Sequence, residues 1–137
     1  MLVDASVALK WFLDEDDSDR ARRLIGSNEL VALDLVLAET ANALWKALRR
    51  GVIDQEVYRA ALATLPTPFA RIHSIEPLIE QAGSIAAEFD HPVYDCIYLA
   101  ATLLLDETLV TADLRLIAKL ANSRFAPNCI SLADVGN

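Results

Sequence analysis

Positive charge is scarce in this sequence. Twelve lysines and arginines stand against twenty aspartates and glutamates, a formal net charge of −8, which argues against a simple basic clamp for nucleic acid. Cysteine is rare too. Cys96 and Cys129 have no C-x-x-C spacing and no histidine partner, so both are expected to be reduced, packed thiols of a cytoplasmic protein. No apolar run approaches the roughly 18 residues that a membrane helix requires; Glu39, Asp95 and Asp106 interrupt the longest candidates. The opening "MLVDAS" lacks the basic region and apolar stretch of a secretory signal. A cytoplasmic location without a membrane partner is therefore expected. Repeats, low-complexity tracts and linkers are missing, and the chain reads as a single domain, 1–137. What is plentiful is apolar: 54% of residues are hydrophobic and the mean hydropathy is +0.30. That is ample material for a core and excludes disorder.

The chain alternates strand and helix signals. "MLVD", "LVALD" (30–34), "FARIHSI" (69–75), "TLVT" (108–111) and "NCISL" (128–132) read as short strands. Helices are expected over 5–13, 17–26, 36–50, 54–65, 77–89, 93–105 and 112–121. Gly26 and Gly51 stop the second and third. "PTP" at 66–68 breaks the fourth, which Asp54 caps. The stretch 93–105, "VYDCIYLAATLLL", is apolar almost all round, as a central buried helix should be. Regular alternation of this kind indicates a parallel sheet covered by helices on both faces.

In an open parallel sheet, function gathers at the carboxyl ends of the strands. Four acids belong there: Asp4 after the first strand, Glu39 early in the helix after "LVALD", Asp95 in the first turn of the apolar helix, and Asp113 just past "TLVT". Each has an ordinary structural explanation. Asp4 and Asp113 suit helix N-caps, worth about 1 kcal/mol, and Asp95 suits a first turn after Pro92. Glu39 and Asp95 sit among apolar neighbours, where an unpartnered carboxylate is costly and tends to protonate. A divalent cation relieves that cost. Acids without histidine or cysteine company suit Mg²⁺ or Mn²⁺ better than zinc. Helix cap and metal ligand both stay open at this point.

Four motifs now carry a resemblance. "MLVDASVALKWFL" at 1–13, "ETANAL" at 39–44, "VYDCIYLAATL" at 93–103 and "LVTADLRL" at 109–116 resemble, in order and interval, the PIN domain, and within it the VapC-type toxins of toxin–antitoxin pairs. The resemblance implies an α/β, three-layer α/β/α sandwich around a mostly parallel five-stranded sheet. It implies an endoribonuclease in which Asp4, Glu39, Asp95 and Asp113 hold Mg²⁺ or Mn²⁺. Ser6 and Thr111 match the hydroxyl residues that accompany the first and last acids, and a capping role suits them equally. Asn42, one helical turn after Glu39, is placed near the same cleft by spacing alone. A VapB-type antitoxin and a homodimer are the implied partners, beside the RNA substrate. A metal-binding PIN-fold scaffold without nuclease activity is the alternative.

Two other aspartate-based sites fit less well. A phosphoacceptor receiver domain needs an acidic pair near its first strand, where Asp4 stands alone. A haloacid-dehalogenase-type phosphatase needs a second aspartate at the place of Ser6. His73 and His91 lack ligand spacing and receive no role. "KALRR" at 46–50 and Arg115 are expected to be solvated helix residues, and "DEDDSD" at 14–19 a solvated helix start. Trp11, Phe12 and Trp45 are expected in the core or at a subunit interface rather than stacking on bases.

Overall fold

The computed structural model describes residues 1–136. In chain order the elements are β1 (Leu2–Val3), α1 (Ala5–Leu9), α2 (Ser18–Leu24), β2 (Val31–Leu33), α3 (Leu35–Arg49), α4 (Gln55–Thr64), β3 (Arg71–His73), α5 (Ile79–Phe89), α6 (Val93–Leu105), β4 (Leu109–Thr111), α7 (Leu114–Leu120) and β5 (Cys129–Ser131). The strands form one sheet in the order β3-β2-β1-β4-β5, and every pairing is parallel. The chain leaves β1 toward β2 on one side and later returns to β4 on the other. The order therefore reverses between β1 and β4, and a crevice belongs above their carboxyl ends. Val3 pairs with Val110, so Asp4 and Thr111 emerge side by side.

Strand side chains alternate between faces, and two cores follow. Leu2, Leu33 and Leu109 pack with Ile85, Ile97 and Leu116 on the side of α5, α6 and α7. Val3, Ala32 and Val110 pack with Val7, Leu24 and Val36 on the side of α1, α2 and α3. A smaller cluster of Leu13, Leu44, Ala47 and Ala61 joins α3 to α4. The result is the expected helix–sheet–helix sandwich.

Two expectations need correction. The first helix ends at Leu9 rather than continuing to residue 13. Beyond it, Lys10, Trp11 and Phe12 donate to carbonyls three residues back, a tighter winding that lets the buried Trp11 donate its indole N–H to the Ala21 carbonyl at 3.0 Å. The helix at 93–105 has the expected bounds, but only Cys96–Thr102 is buried; Tyr94 is 63% and Leu104 61% exposed, because the helix is longer than the core it crosses. The acidic run at 14–19 is, as expected, solvated and leads into a helix, and several of its acids are also ion-paired. Arg22 pairs with Asp14 and Asp19, Arg20 with Asp17, and Lys10 with Glu15.

Candidate functional site

Asp4 ends β1 and is buried. Its Oδ1 accepts from the Ser6 hydroxyl at 2.6 Å and from the Val7 amide at 3.2 Å, which caps α1. The Ser6 hydroxyl in turn receives the Ala112 amide at 2.8 Å and lies 3.3 Å from the Thr111 hydroxyl. Thr111 accepts the Asp113 amide at 3.1 Å. Asp113 then caps α7, its Oδ1 taking the amides of Arg115 at 2.9 Å and Leu116 at 3.1 Å. Ser6 and Thr111 are thus a hydroxyl bridge across the β1–β4 crevice, tying the turn after one strand to the turn after the other.

The other two acids come from helices. Glu39 sits half-buried on α3, and its Oε2 accepts from the Tyr98 hydroxyl of α6 at 2.8 Å. Asp95, one turn before Tyr98 on α6, has its Oδ2 2.6 Å from Nε2 of His91. Each acid therefore has one oxygen fixed by a neighbour. Capping uses one oxygen of Asp113; Oδ2 of Asp113, Oε1 of Glu39 and Oδ1 of Asp95 have no hydrogen bond among the described residues. A cap and a ligand are then compatible functions of one side chain.

Charge ties three of the acids together. Burial holds the Asp4 carboxyl above its ordinary range, against the lowering effect of Ser6, Thr111 and Val7, and the negative Asp95 adds to the rise. Glu39 is also raised, first by burial and then by the charges of Asp4 and Asp95, with Tyr98 opposing. Tyr98 is pushed far above the usual phenol range by burial and by Glu39 and Asp4, so it remains a donor at any physiological pH. Cys129 is pushed up to about 11 by burial and the nearby Asp4. Both cysteines are free thiols.

All four sequence-identified acids thus lie at the carboxyl edge of the sheet or on the helices beside it. An all-oxygen, negatively charged donor set of this kind fits a hard divalent ion in chemistry. As placed, no three His, Cys, Asp or Glu side chains among the described residues stand close enough together to hold an ion. Asn42 is exposed on α3 one turn beyond Glu39 and makes no hydrogen bond among the described residues.

His91 and Tyr98 were not singled out by their sequence. The i, i+4 interval from His91 to Asp95 is a detectable signal, since such pairs meet on one helical face, although His91 precedes the helix. Tyr98 has none: its partner is 59 residues away.

The description "PIN domain" matches residues 1–122. Over 122 residues the chain is 32% identical to ribonuclease VapC3 of Pyrobaculum aerophilum, covering 87% of this chain and 93% of that protein. Its fold is similar to the crystal structure of a Pyrobaculum aerophilum protein, with a TM-score of 0.74 at 26% identity over 96% of this chain and 88% of that one. It also matches a chain of a toxin–antitoxin complex from Klebsiella pneumoniae, with a TM-score of 0.67 at 16% identity over 96% of both chains, a likeness of fold alone. The chain belongs to the PIN domain family, with the VapC ribonucleases among its relatives.

Proposed function

We propose that this protein is a divalent-metal-dependent endoribonuclease, the toxin of a VapBC-type toxin–antitoxin pair, acting in the cytoplasm. The observation that carries the reading is the approach of Asp4, Glu39 and Asp95, three acids from three segments of the chain: beyond burial, the charge of Asp95 adds to the cost of ionising Asp4, and the charges of Asp4 and Asp95 add to that of Glu39. Folding brings such groups together at a penalty, which a bound cation offsets. VapC3 of Pyrobaculum aerophilum, named a ribonuclease, supports RNA as the substrate class. Its VapC name supports an antitoxin partner. A homodimer is part of the same proposal. No helix among the described residues is long and apolar enough to cross a membrane.

Mg²⁺ or Mn²⁺ held by Asp4, Asp95 and Asp113, with Glu39 beside them, would acidify a water and offset the charge that builds on the phosphorus during attack. The chain's own residues do the rest. Glu39, its basicity increased by burial and by its neighbours, is suited to take the proton from the attacking water. Tyr98 keeps that carboxylate turned toward the crevice. The Ser6–Thr111 bridge holds the strand ends that carry Asp4 and Asp113 at fixed spacing. In-line attack by water forms the new P–O bond, breaks the bond to the 3′ oxygen, and leaves a 5′-phosphate and a 3′-hydroxyl. The ribose 2′-hydroxyl takes no part.

The test is cleavage of total RNA with Mn²⁺, with EDTA, and by Asp4→Asn, followed by analysis of the product ends. Asparagine keeps the size and the capping oxygen of Asp4 but removes its charge. The expected outcome is cleavage by the parent only with metal, loss in the variant, and an unchanged or higher melting temperature of that variant in EDTA. A 2′,3′-cyclic phosphate product would rule out the water mechanism. Manganese binding without cleavage of any RNA would leave a metal-binding scaffold.

A further inference from the structure

The C-terminal half of α3 carries a surface that the cleavage chemistry does not use. Trp45 is 41% exposed, so of the two expected places, core or subunit interface, it does not occupy the core. The Arg49 guanidinium lies 5.0 Å from the centre of its ring. Trp45, Lys46, Arg49 and Arg50 line a hollow of about 350 Å³, and Lys46 and Arg50 also border an adjoining one of about 190 Å³. In a protein of net charge −8, these three cations stand together within five residues of one helix end, and like Arg23, Arg59, Arg115 and Lys119 they have no carboxylate partner among the described residues. Arg20, Arg22, Arg71 and Arg124 are all ion-paired, whereas Lys46, Arg49 and Arg50 form no salt bridge among the described residues.

Position along the helix links this surface to the acids. At 100° per residue, Lys46 and Arg50 fall within about 20° of the direction of Glu39, Asn42 and Arg49 lie about 60° and 80° to one side, and Trp45 lies about 120° to that side, flanking the line of cations. A stripe thus runs from the crevice to the end of α3, about 15 Å at the helical rise. The helix dipole accounts for cations in a last turn. It does not account for a large aromatic ring left open to water with a guanidinium against it. Stacked nucleobases and phosphates call for that combination: an aromatic face, an arginine plane and unpaired positive charge along a line. A paired duplex buries its base faces, so the matching ligand is unpaired RNA.

We propose that the Trp45, Lys46, Arg49 and Arg50 surface of α3 binds an unpaired segment of the RNA substrate beyond the scissile phosphate, with a base stacked on Trp45 and phosphates on the cations. This rests on the ribonuclease reading above and specifies where the substrate strand leaves the crevice. An acidic protein partner is the competing occupant, since Trp and Arg also anchor protein contacts, and the single-strand and duplex arms of the experiment separate the two.

The experiment measures binding of a labelled single-stranded RNA and of a blunt RNA duplex to the full-length Asp4→Asn protein in EDTA, so that nothing is cut. Into that background go Trp45→Ala, Trp45→Phe and the triple change Lys46→Gln, Arg49→Gln, Arg50→Gln. All these positions are exposed, and melting temperatures check that each variant is folded. Trp45→Ala should weaken single-strand binding about tenfold, and Trp45→Phe should recover part of it, as stacking requires. The triple variant should bind at least tenfold more weakly, with its salt dependence flattened by about two in log–log slope for three lost phosphate contacts. Bound RNA should quench the exposed Trp45 while the buried Trp11 is unaffected. The duplex should be insensitive to Trp45.

Unchanged RNA affinity and salt slope in the variants, with the parent binding RNA, would overturn the inference and leave the ribonuclease reading standing. Intact RNA binding combined with a changed oligomeric state in sedimentation would reassign the surface to a protein contact. A parent that binds neither RNA would remove the ribonuclease reading and this surface with it.

Discussion

At the scale of single residues, Glu39 and Asp95 stood out as carboxylates among apolar neighbours, while Asp4 and Asp113 were picked out by their place after strands, where a helix cap explains them as well. What holds them was not readable. Tyr98 and His91 act across space, and Tyr98 looked like one more apolar position of a buried helix. Its hydroxyl donates to Oε2 of Glu39 at 2.8 Å, and burial keeps the proton on it. Supporting partners of this kind commonly change metal affinity by 10–100-fold. Tyr98→Phe removes one oxygen and leaves the ring packed. Manganese affinity measured by calorimetry should fall about tenfold, with little further loss when the change is made in a Glu39→Gln background. A merely structural tyrosine would lower the melting temperature and leave metal affinity alone in both backgrounds.

At the scale of elements, type and order followed from the sequence, because the strands are short apolar runs and the helices between them carry their own stops. Asp54 donates no surprise: its side chain accepts the Val57 amide at the start of α4, as its position implied. The boundary of the first helix failed where a tertiary contact overrules local pattern, at the tightened turns that seat Trp11, and the burial expected along all of α6 failed at its exposed ends. Of the two roles left open by "LVTADLRL", the structure shows the cap. Asp113 caps that helix with one oxygen only. Asp113→Ala should then cost about 1 kcal/mol in denaturant unfolding without metal, while Asp113→Asn should cost a few tenths at most. Both should abolish cleavage. Equal activity in the asparagine variant and the parent would reduce Asp113 to a cap.

At the scale of the whole molecule, the topology sets a conflict. A sheet whose order reverses between β1 and β4 gathers Asp4, Glu39 and Asp95, and in the metal-free protein their charges oppose folding. No local pattern reveals that cost, since it arises only when distant segments meet. Its direction with pH follows from linkage. Asp4 and Glu39 have folded-state pKa values raised above 3.8 and 4.5, so the folded state binds protons more tightly than the unfolded one. The stability this provides is complete below those ordinary values and is lost as pH rises through the folded ones. In EDTA, Asp4→Asn and Glu39→Gln should therefore melt higher than the parent near neutral pH, and the gap should close as the pH falls into the ordinary carboxylate range. Saturating Mn²⁺ should raise the parent most and reverse the ranking near neutral pH. Melting curves across pH with EDTA and with Mn²⁺ measure both effects. Parallel curves for parent and variants would mean that the acids do not meet in solution, and a proposed site built on their meeting would have no basis.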